Sequence, residues 1–156
     1  MSGIEIRRLG LDDIEAVHDI EKRCFSCPWS RRSLEASVSH PASYWSGAWI
    51  GGMLAGFLGA FSAAGEAEIL DIAVNPERRR QGVGRLLMRS ALGSFAEEGV
   101  TDVFLDVRRS NRPAIELYSS LGFEVFTVRA GYYSQPPEDA YGMRLTLRKT
   151  NGNDIN

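Results

Sequence analysis

The stretch Arg79-Arg80-Gln81-Gly82-Val83-Gly84-Arg85 constrains this chain more than any other. It stands between a strand-like run, residues 68–74, and a helix-like run, residues 86–98. A strand that turns through glycines into a helix builds an anion site. Glycine lets the backbone approach a ligand closely, and the helix start presents unpaired N–H groups and the positive end of its dipole. Helices commonly balance that dipole with acids in the first turn, yet arginine occupies positions 78, 79, 80 and 85 here. The missing negative charge then belongs to a ligand, most simply a phosphate or pyrophosphate. The competing reading is a solvated basic turn.

Two familiar glycine-rich phosphate motifs fail at named positions. A P-loop spaces its glycines more widely and follows them with Lys-Ser or Lys-Thr, which Gly82-Val83-Gly84-Arg85 does not supply. A dinucleotide-binding fold needs a third glycine at position 87, which is leucine. That fold usually opens with its glycine-bearing strand, whereas three strand-like runs precede this one.

The rest of the chain reads as alternating short elements. Ile4-Glu5-Ile6-Arg7 alternates like a strand, and Asp12 and Asp13 stand as cap and first-turn acids before Ile14, Val17 and Ile20. A loop, residues 24–29, leads to Ser30 as the cap of a second helix through Leu34 and Val38, stopped near Pro41. Residues 44–50 and 54–62 are strands around Gly51-Gly52, a hairpin signal, with Gly56 and Gly59 marking a bend or close packing. The apolar length of residues 68–74 predicts a strand covered on both faces. After it, Leu86, Leu87, Ala91 and Phe95 form the buried stripe of the long helix, ended by Gly99 before a strand at 103–107. Asn111-Arg112-Pro113 opens another helix, continued by Ala114, Ile115, Leu117, Tyr118 and Leu121 to Gly122. Residues 123–129 and 141–147 are the last strands, joined through Pro136-Pro137. The polar tail, residues 150–156, is expected to be disordered. The order is strand, helix, helix, three strands, helix, strand, helix, two strands, in one domain of residues 1–149.

Composition excludes several classes of function. No apolar run approaches the roughly 18 residues of a membrane span, and the N-terminus has no signal-peptide core. A soluble, cytoplasmic protein is expected. The net charge of −2 gives no support to a nucleic-acid partner, so the arginines read as a local site. Cys24 and Cys27, with His18 and His40, have the wrong spacing for a zinc site, and the pair follows a helix instead of preceding one as a redox motif would. Two reduced thiols and no metal are expected.

Arg79-Arg80-Gln81-Gly82-Val83-Gly84 resembles in full the acyl-CoA signature of the GCN5-related N-acetyltransferase (GNAT) superfamily: Arg or Gln, two residues, Gly, one residue, then Gly or Ala. It sits after the fourth strand and before the third helix, as in that superfamily. The resemblance spans residues 4–147 and is nearest to the bacterial ribosomal-protein-alanine N-acetyltransferases. It is carried by Ile20-Glu21, Pro28-Trp29-Ser30, Ile72-Ala73-Val74-Asn75-Pro76, Ser110-Asn111, Ala114-Ile115-Glu116-Leu117-Tyr118, Leu121-Gly122-Phe123 and Gly131-Tyr132-Tyr133.

The resemblance implies an α/β (α+β) fold with a central, mostly antiparallel mixed sheet, splayed between strands 4 and 5 and flanked by about four helices. It implies acetyl-CoA as co-substrate. The pantetheine arm would pair with the backbone of Ile72, Ala73 and Val74, and the pyrophosphate would sit on the turn of Arg79, Arg80, Gln81, Gly82, Val83, Gly84 and Arg85. Asn111 would lie near the cofactor, and Tyr118 would protonate the leaving thiolate. By its residue type alone, Tyr118 reads as a core tyrosine with a hydrogen-bonded tip.

The implied base departs from the family, which carries Leu-Glu-Val-Arg where this chain has Leu105-Asp106-Val107-Arg108. Aspartate is one methylene shorter, about 1.5 Å of reach, and a relaying water restores the path. Asp71, an acid in an apolar strand, is the rival base or else a paired structural carboxylate. The implied acceptor is a protein N-terminus, the N-terminal alanine of a small-subunit ribosomal protein. Residues 27–30 and 132–139 would flank it, with Trp29, Tyr132 and Tyr133 either lining a peptide groove or packing ordinarily. The alternatives are a lysine or small-molecule amine N-acetyltransferase and a non-catalytic acetyl-CoA-binding regulator. An α-amino group costs about 3.5 kcal/mol less to deprotonate than a lysine, so it tolerates a weak or water-mediated base better. A monomer or weak dimer is expected, without direct contact with nucleic acid or membrane.

Overall fold

The computed structural model describes residues 3–147; the tail expected to be disordered lies outside them. The chain divides into two compact units. The first holds the described residues up to Phe61 together with Leu70–Gly93, and the second holds Ser62–Ile69 together with those from Ser94 onward.

The first unit begins with β1 (Ile4–Arg8), a 3-10 turn (Leu11–Asp13), α1 (Ile14–Cys24) and α2 (Arg31–Ser39). It continues with β2 (Ser43–Ile50) and most of β3 (Met53–Ala63). The later half of β4 (Glu66–Val74), a second 3-10 turn (Pro76–Arg78) and most of α3 (Val83–Glu97) complete it. β1 runs antiparallel to β2, from Ile4 opposite Ile50 to Arg8 opposite Ser46. β2 and β3 form the expected hairpin, with Gly51 and Gly52 at φ 57° and 82°, the left-handed pair that a tight two-residue turn demands.

Ile14, Val17 and Ile20 fall on one face of α1 and pack with Leu9, Leu34, Trp45, Phe57 and Ala73 into a core. Fully burying side chains of this size contributes about 1.5–3 kcal/mol each. Gly59 marks close packing, as the sequence allowed. A Cβ there would stand 2.4 Å from the Trp45 ring, and one on Gly56 would meet the Ala73 carbonyl at 2.8 Å.

Local signals set the helix starts. Ser30 caps α2 as expected, its Oγ accepting the Ser33 N–H at 3.1 Å. Asp12 and Asp13 instead lie in the 3-10 turn, where Asp13 Oδ2 accepts the Gly10 N–H at 2.9 Å. α3 starts at Val83, three residues earlier than the apolar run suggested, and its buried positions include Leu87, Met88 and Ala91, while Leu86 is exposed.

The second unit contains the first half of β4, then β5 (Asp102–Arg108), α4 (Arg112–Ser120), β6 (Glu124–Ser134) and β7 (Pro137–Thr146). β4 and β5 pair in parallel from Glu66 opposite Asp102 to Glu68 opposite Phe104. β5 and β7 pair antiparallel along the whole of β5, and β6 pairs antiparallel with β7. The strand order β1-β2-β3-β4-β5-β7-β6, with four α-helices, bears out the expected mixed fold.

Two expectations for the strands need correction. On β4 one face is buried, at Ala67, Ile69, Asp71 and Ala73, but Leu70, Ile72 and Val74 are only half-buried, so the strand is not covered equally on both faces. β6 runs on to Ser134 and β7 begins at Pro137, so Tyr132 and Tyr133 are strand residues and not part of a long loop. Arg108 stabilises the extension. Its guanidinium donates to the carbonyls of Gln135 and Pro136, each at 2.9 Å, and pairs with Glu138 Oε1 at 3.2 Å.

Candidate active site

The turn after β4 has the backbone of an anion cradle. Arg80 adopts φ 68° and Gly82 φ 82°. Glycine accepts this conformation freely, whereas a left-handed non-glycine residue costs on the order of 1–3 kcal/mol and persists where the surroundings require it. The bond from the Leu86 N–H to the Gly82 carbonyl, 3.0 Å, marks the first turn of α3. The N–H groups of Val83, Gly84 and Arg85 therefore point out of the helix start, with no acid in that turn. Arg80, Gln81 and Arg85 are exposed beside them.

Arg79 is turned the other way. Its Nε donates to the Val74 carbonyl at 3.4 Å and its Nη2 to Cys24 Sγ at 3.6 Å, while the Cys24 thiol itself donates to Val74 O at 3.4 Å. Burial pushes the Cys24 thiol above its ordinary range, and the neighbouring Arg79 partly offsets this. The expected cofactor positions Ile72, Ala73 and Val74 thus lead into a turn that Arg79 and Cys24 tie to the end of α1.

Asp71, the rival base, is buried and paired. Its carboxyl lies within hydrogen-bonding reach of Glu21 on α1, and burial, then the Glu21 hydrogen bond and charge, push its pKa up to about 9. That shift favours the protonated acid. Glu21, 1% exposed, also accepts the Trp29 N–H on Oε2 at 3.0 Å. In the sequence, only an acid in an apolar strand hints at this partnership.

Asp106 lies on the half-buried face of β5, opposite Gly142 of β7. Arg129 Nε donates to its Oδ1 at 2.9 Å. The Tyr132 hydroxyl also bonds it; burial first, then the Asp106 charge and that bond, hold the phenol above its ordinary pKa. Tyr133 is pushed up to about 12 by burial and then by Asp106. Both phenols therefore stay protonated around a carboxylate. Arg108 stacks over the Tyr133 ring at 4.2 Å, and Glu138 Oε2 accepts the Ser110 N–H at 2.6 Å. The second unit thus gathers Asp106, Tyr132 and Tyr133 through Arg129, Arg108 and Glu138. Sequence reading missed these last three because their partners lie 23 to 30 positions away.

The remaining candidates have visible structural duties. Tyr118 is 6% exposed on α4 with its ring edge-on to Phe123, centroids 6.0 Å apart. Asn111 caps α4, its Oδ1 accepting the Ala114 N–H at 3.3 Å. Trp29 packs half-buried and edge-on to Trp45 at 5.6 Å. Cys24 is half-buried and Cys27 exposed, both as thiols. Among the described residues no three acidic, histidine or cysteine side chains cluster to hold a metal, and no helix is long and apolar enough to cross a membrane.

A strand that runs through a left-handed, arginine-rich turn into a helix start without acids builds a cradle for an anionic group such as a pyrophosphate. The chain belongs to the acetyltransferase (GNAT) family, whose profile matches residues 14–123. It is therefore an N-acetyltransferase with acetyl-CoA as the acetyl donor. It is 34% identical over 144 residues to the ribosomal protein bS18-alanine N-acetyltransferase of Escherichia coli (strain K12), covering 91% of this chain and 97% of that one. It is also 34% identical over 147 residues to an N-alpha-acetyltransferase of Mycobacterium tuberculosis, covering 90% and 91%. The crystal structure of the ribosomal-protein-S18-alanine N-acetyltransferase from Escherichia coli matches the fold with a TM-score of 0.89 at 33% identity, covering 96% of this chain and 97% of that chain.

Proposed function

We propose that this enzyme acetylates the α-amino group of a protein N-terminus in the cytoplasm, its target being the N-terminal alanine of a small-subunit ribosomal protein. The observation that carries this reading is end-to-end likeness, at 34% identity, to a relative named for that reaction. The Asp106 cluster fits it chemically. A carboxylate flanked by two protonated tyrosines can accept a proton from an amine and line a peptide.

Acetyl-CoA supplies an acetyl group activated as a thioester. The outward N–H groups at Val83, Gly84 and Arg85, with Arg80 and Gln81, hold its pyrophosphate. The backbone of Ile72, Ala73 and Val74 binds the amide-bearing arm, and Asn111 lies beside it. Asp106 takes the amine proton, directly or through one water, and Tyr118 supplies the proton that the leaving thiol takes up. Burial and the neighbouring Glu21 favour the protonated form of Asp71, which supports Asp106 as the base. Trp29, Tyr132 and Tyr133 contact the acceptor peptide.

The test is thiol release from acetyl-CoA by the purified protein. An alanine-starting peptide should support it, and the same peptide with a blocked N-terminus and an added lysine should not. Release with the blocked peptide alone would assign a lysine acceptor. No release with any amine would assign a non-catalytic binder.

A further inference from the structure

Glu21 and Asp71 form a buried carboxyl pair that reaches the α1–α2 loop through the Trp29 N–H. Glu21 is 1% exposed and Asp71 9% exposed. One oxygen on each, Glu21 Oε1 and Asp71 Oδ2, is buried without a hydrogen-bond partner. Both are acceptors when ionised, so two adjacent orphan acceptors are what a missing proton leaves behind. Two ionised carboxylates in one dry site repel each other, and one shared proton removes both the repulsion and both orphans. The pair then keeps one negative charge, and Glu21 Oε2 receives the Trp29 N–H at 3.0 Å. Such a charge-assisted bond is stronger than a neutral one.

We propose that Glu21 and Asp71 share a single proton between Oε1 and Oδ2, and that this pair is a positioning device which fixes the α1–α2 loop at Trp29 for acceptor-peptide binding. The peptide-binding clause rests on the function proposed above; the shared proton does not. Asp71 touches no reacting atom in this account. It acts through Glu21, and Glu21 acts through the backbone of Trp29. The loop is held at its other end too, where the Cys24 thiol meets the Val74 carbonyl and Arg79.

The surroundings leave few other groups to interfere. On α1, the half-buried His18 precedes Glu21 by one turn and Cys24 follows it by one turn, Arg23 pairs with Glu77, and Lys22 is exposed. From the turn after β4, Arg79 engages Cys24. Arg31, Arg32 and Glu35 of α2 are exposed, β2 carries Tyr44 alone, and β3 has no ionisable side chain. The Ile72 N–H donates to the Asp71 carboxyl and favours its ionised form, but burial outweighs it.

The pair is tested by infrared spectroscopy and by kinetics on the intact enzyme. In wild type at neutral pH the carbonyl stretch of a protonated carboxylic acid should be present, and Asp71→Asn should remove it; its absence from wild type overturns the shared proton. Asn can donate permanently to Glu21, so Asp71→Asn should match the wild-type peptide KM within about twofold at pH ~7. Loss of the shared proton should make the wild-type value about tenfold higher than that of Asp71→Asn at pH ~10. Comparing the two enzymes at one pH cancels the amine's own titration. Asp71→Leu should raise the peptide KM about tenfold with the acetyl-CoA KM unchanged within about twofold, since the loop and not the cofactor turn is released. Equal peptide KM for all three enzymes across the range, or an equal rise in both KM values, overturns the positioning role. If no peptide is acetylated, the acceptor assignment and with it the positioning role fall, while the infrared band still decides the shared proton.

Discussion

Arg129 Nε donates to Asp106 Oδ1 at 2.9 Å, so the carboxylate that faces the two tyrosines is held by one oxygen before any substrate arrives. Orientation therefore does not depend on aspartate's short side chain alone. Asp106→Asn keeps the shape and removes the base. Turnover of an alanine-starting peptide should fall at least about 100-fold, with acetyl-CoA affinity unchanged by calorimetry. Asp106→Glu, the residue type of the related motif, should retain turnover within about tenfold. An Asn variant as active as wild type would remove Asp106 from the mechanism.

Tyr118→Phe separates packing from chemistry. The ring and its contact with Phe123 remain, so urea stability should change by no more than about 1 kcal/mol. Turnover should drop about 10- to 100-fold with little change in coenzyme A binding. Unchanged turnover would return Tyr118 to a purely structural role.

Arg80 combines a charge with an awkward backbone, and substitution can divide the two. Arg80→Gly relieves the left-handed conformation and should raise the urea unfolding free energy by about 1 kcal/mol. The same change removes a cation beside the outward N–H groups and should weaken acetyl-CoA binding several-fold, most at low salt. A loss of stability in this variant would show that the Arg80 side chain makes a structural contact that outweighs the strain.

The buried Asp71 gives a signed dependence of stability on pH. Its folded pKa is raised from the usual 3.8 to about 9, so between those values the folded state binds a proton that the unfolded state does not. Unfolding free energy then falls as pH rises through that window, by at most about 1.4 kcal/mol per pH unit, and levels off above it. Asp71→Asn should flatten the slope between pH ~6 and pH ~8 in paired urea titrations. Identical slopes in the two proteins would show that Asp71 ionises normally.

Gly59 supports the Trp45 ring, and any side chain there displaces it. Gly59→Ala should cost about 1–3 kcal/mol and shift tryptophan emission. A variant as stable as wild type would mean that the indole can relocate without loss.

The parts of this fold legible in the sequence are those set by neighbours within one turn. Ser30 caps Ser33, Asn111 caps Ala114, and Gly51-Gly52 closes a hairpin, because each interaction spans two or three residues. The start of α3 is hidden in the sequence because Val83 and Gly84 lack the usual cap and acids, the same lack that makes the turn an anion cradle. Asp106 and its tyrosines could be named, but not the cluster that joins them. Arg129 reaches Asp106 from 23 positions away, and Arg108 extends β6 and β7 by binding carbonyls 27 and 28 positions on. Glu21 stands in the sequence within the Ile20-Glu21 block and shows no partner there. Its partner lies on β4, and only folding brings the two together.

The contrast between the two cysteines has a practical use. Cys24 is turned inward on the Val74 carbonyl, and burial suppresses its thiolate, whereas Cys27 is exposed two residues before Trp29. Alkylating reagents consume thiolates, so a maleimide dye in limiting amount should mark Cys27 first. The native chain therefore already carries a selective attachment point on the loop, from which the proposed peptide binding can be followed optically without introducing a cysteine.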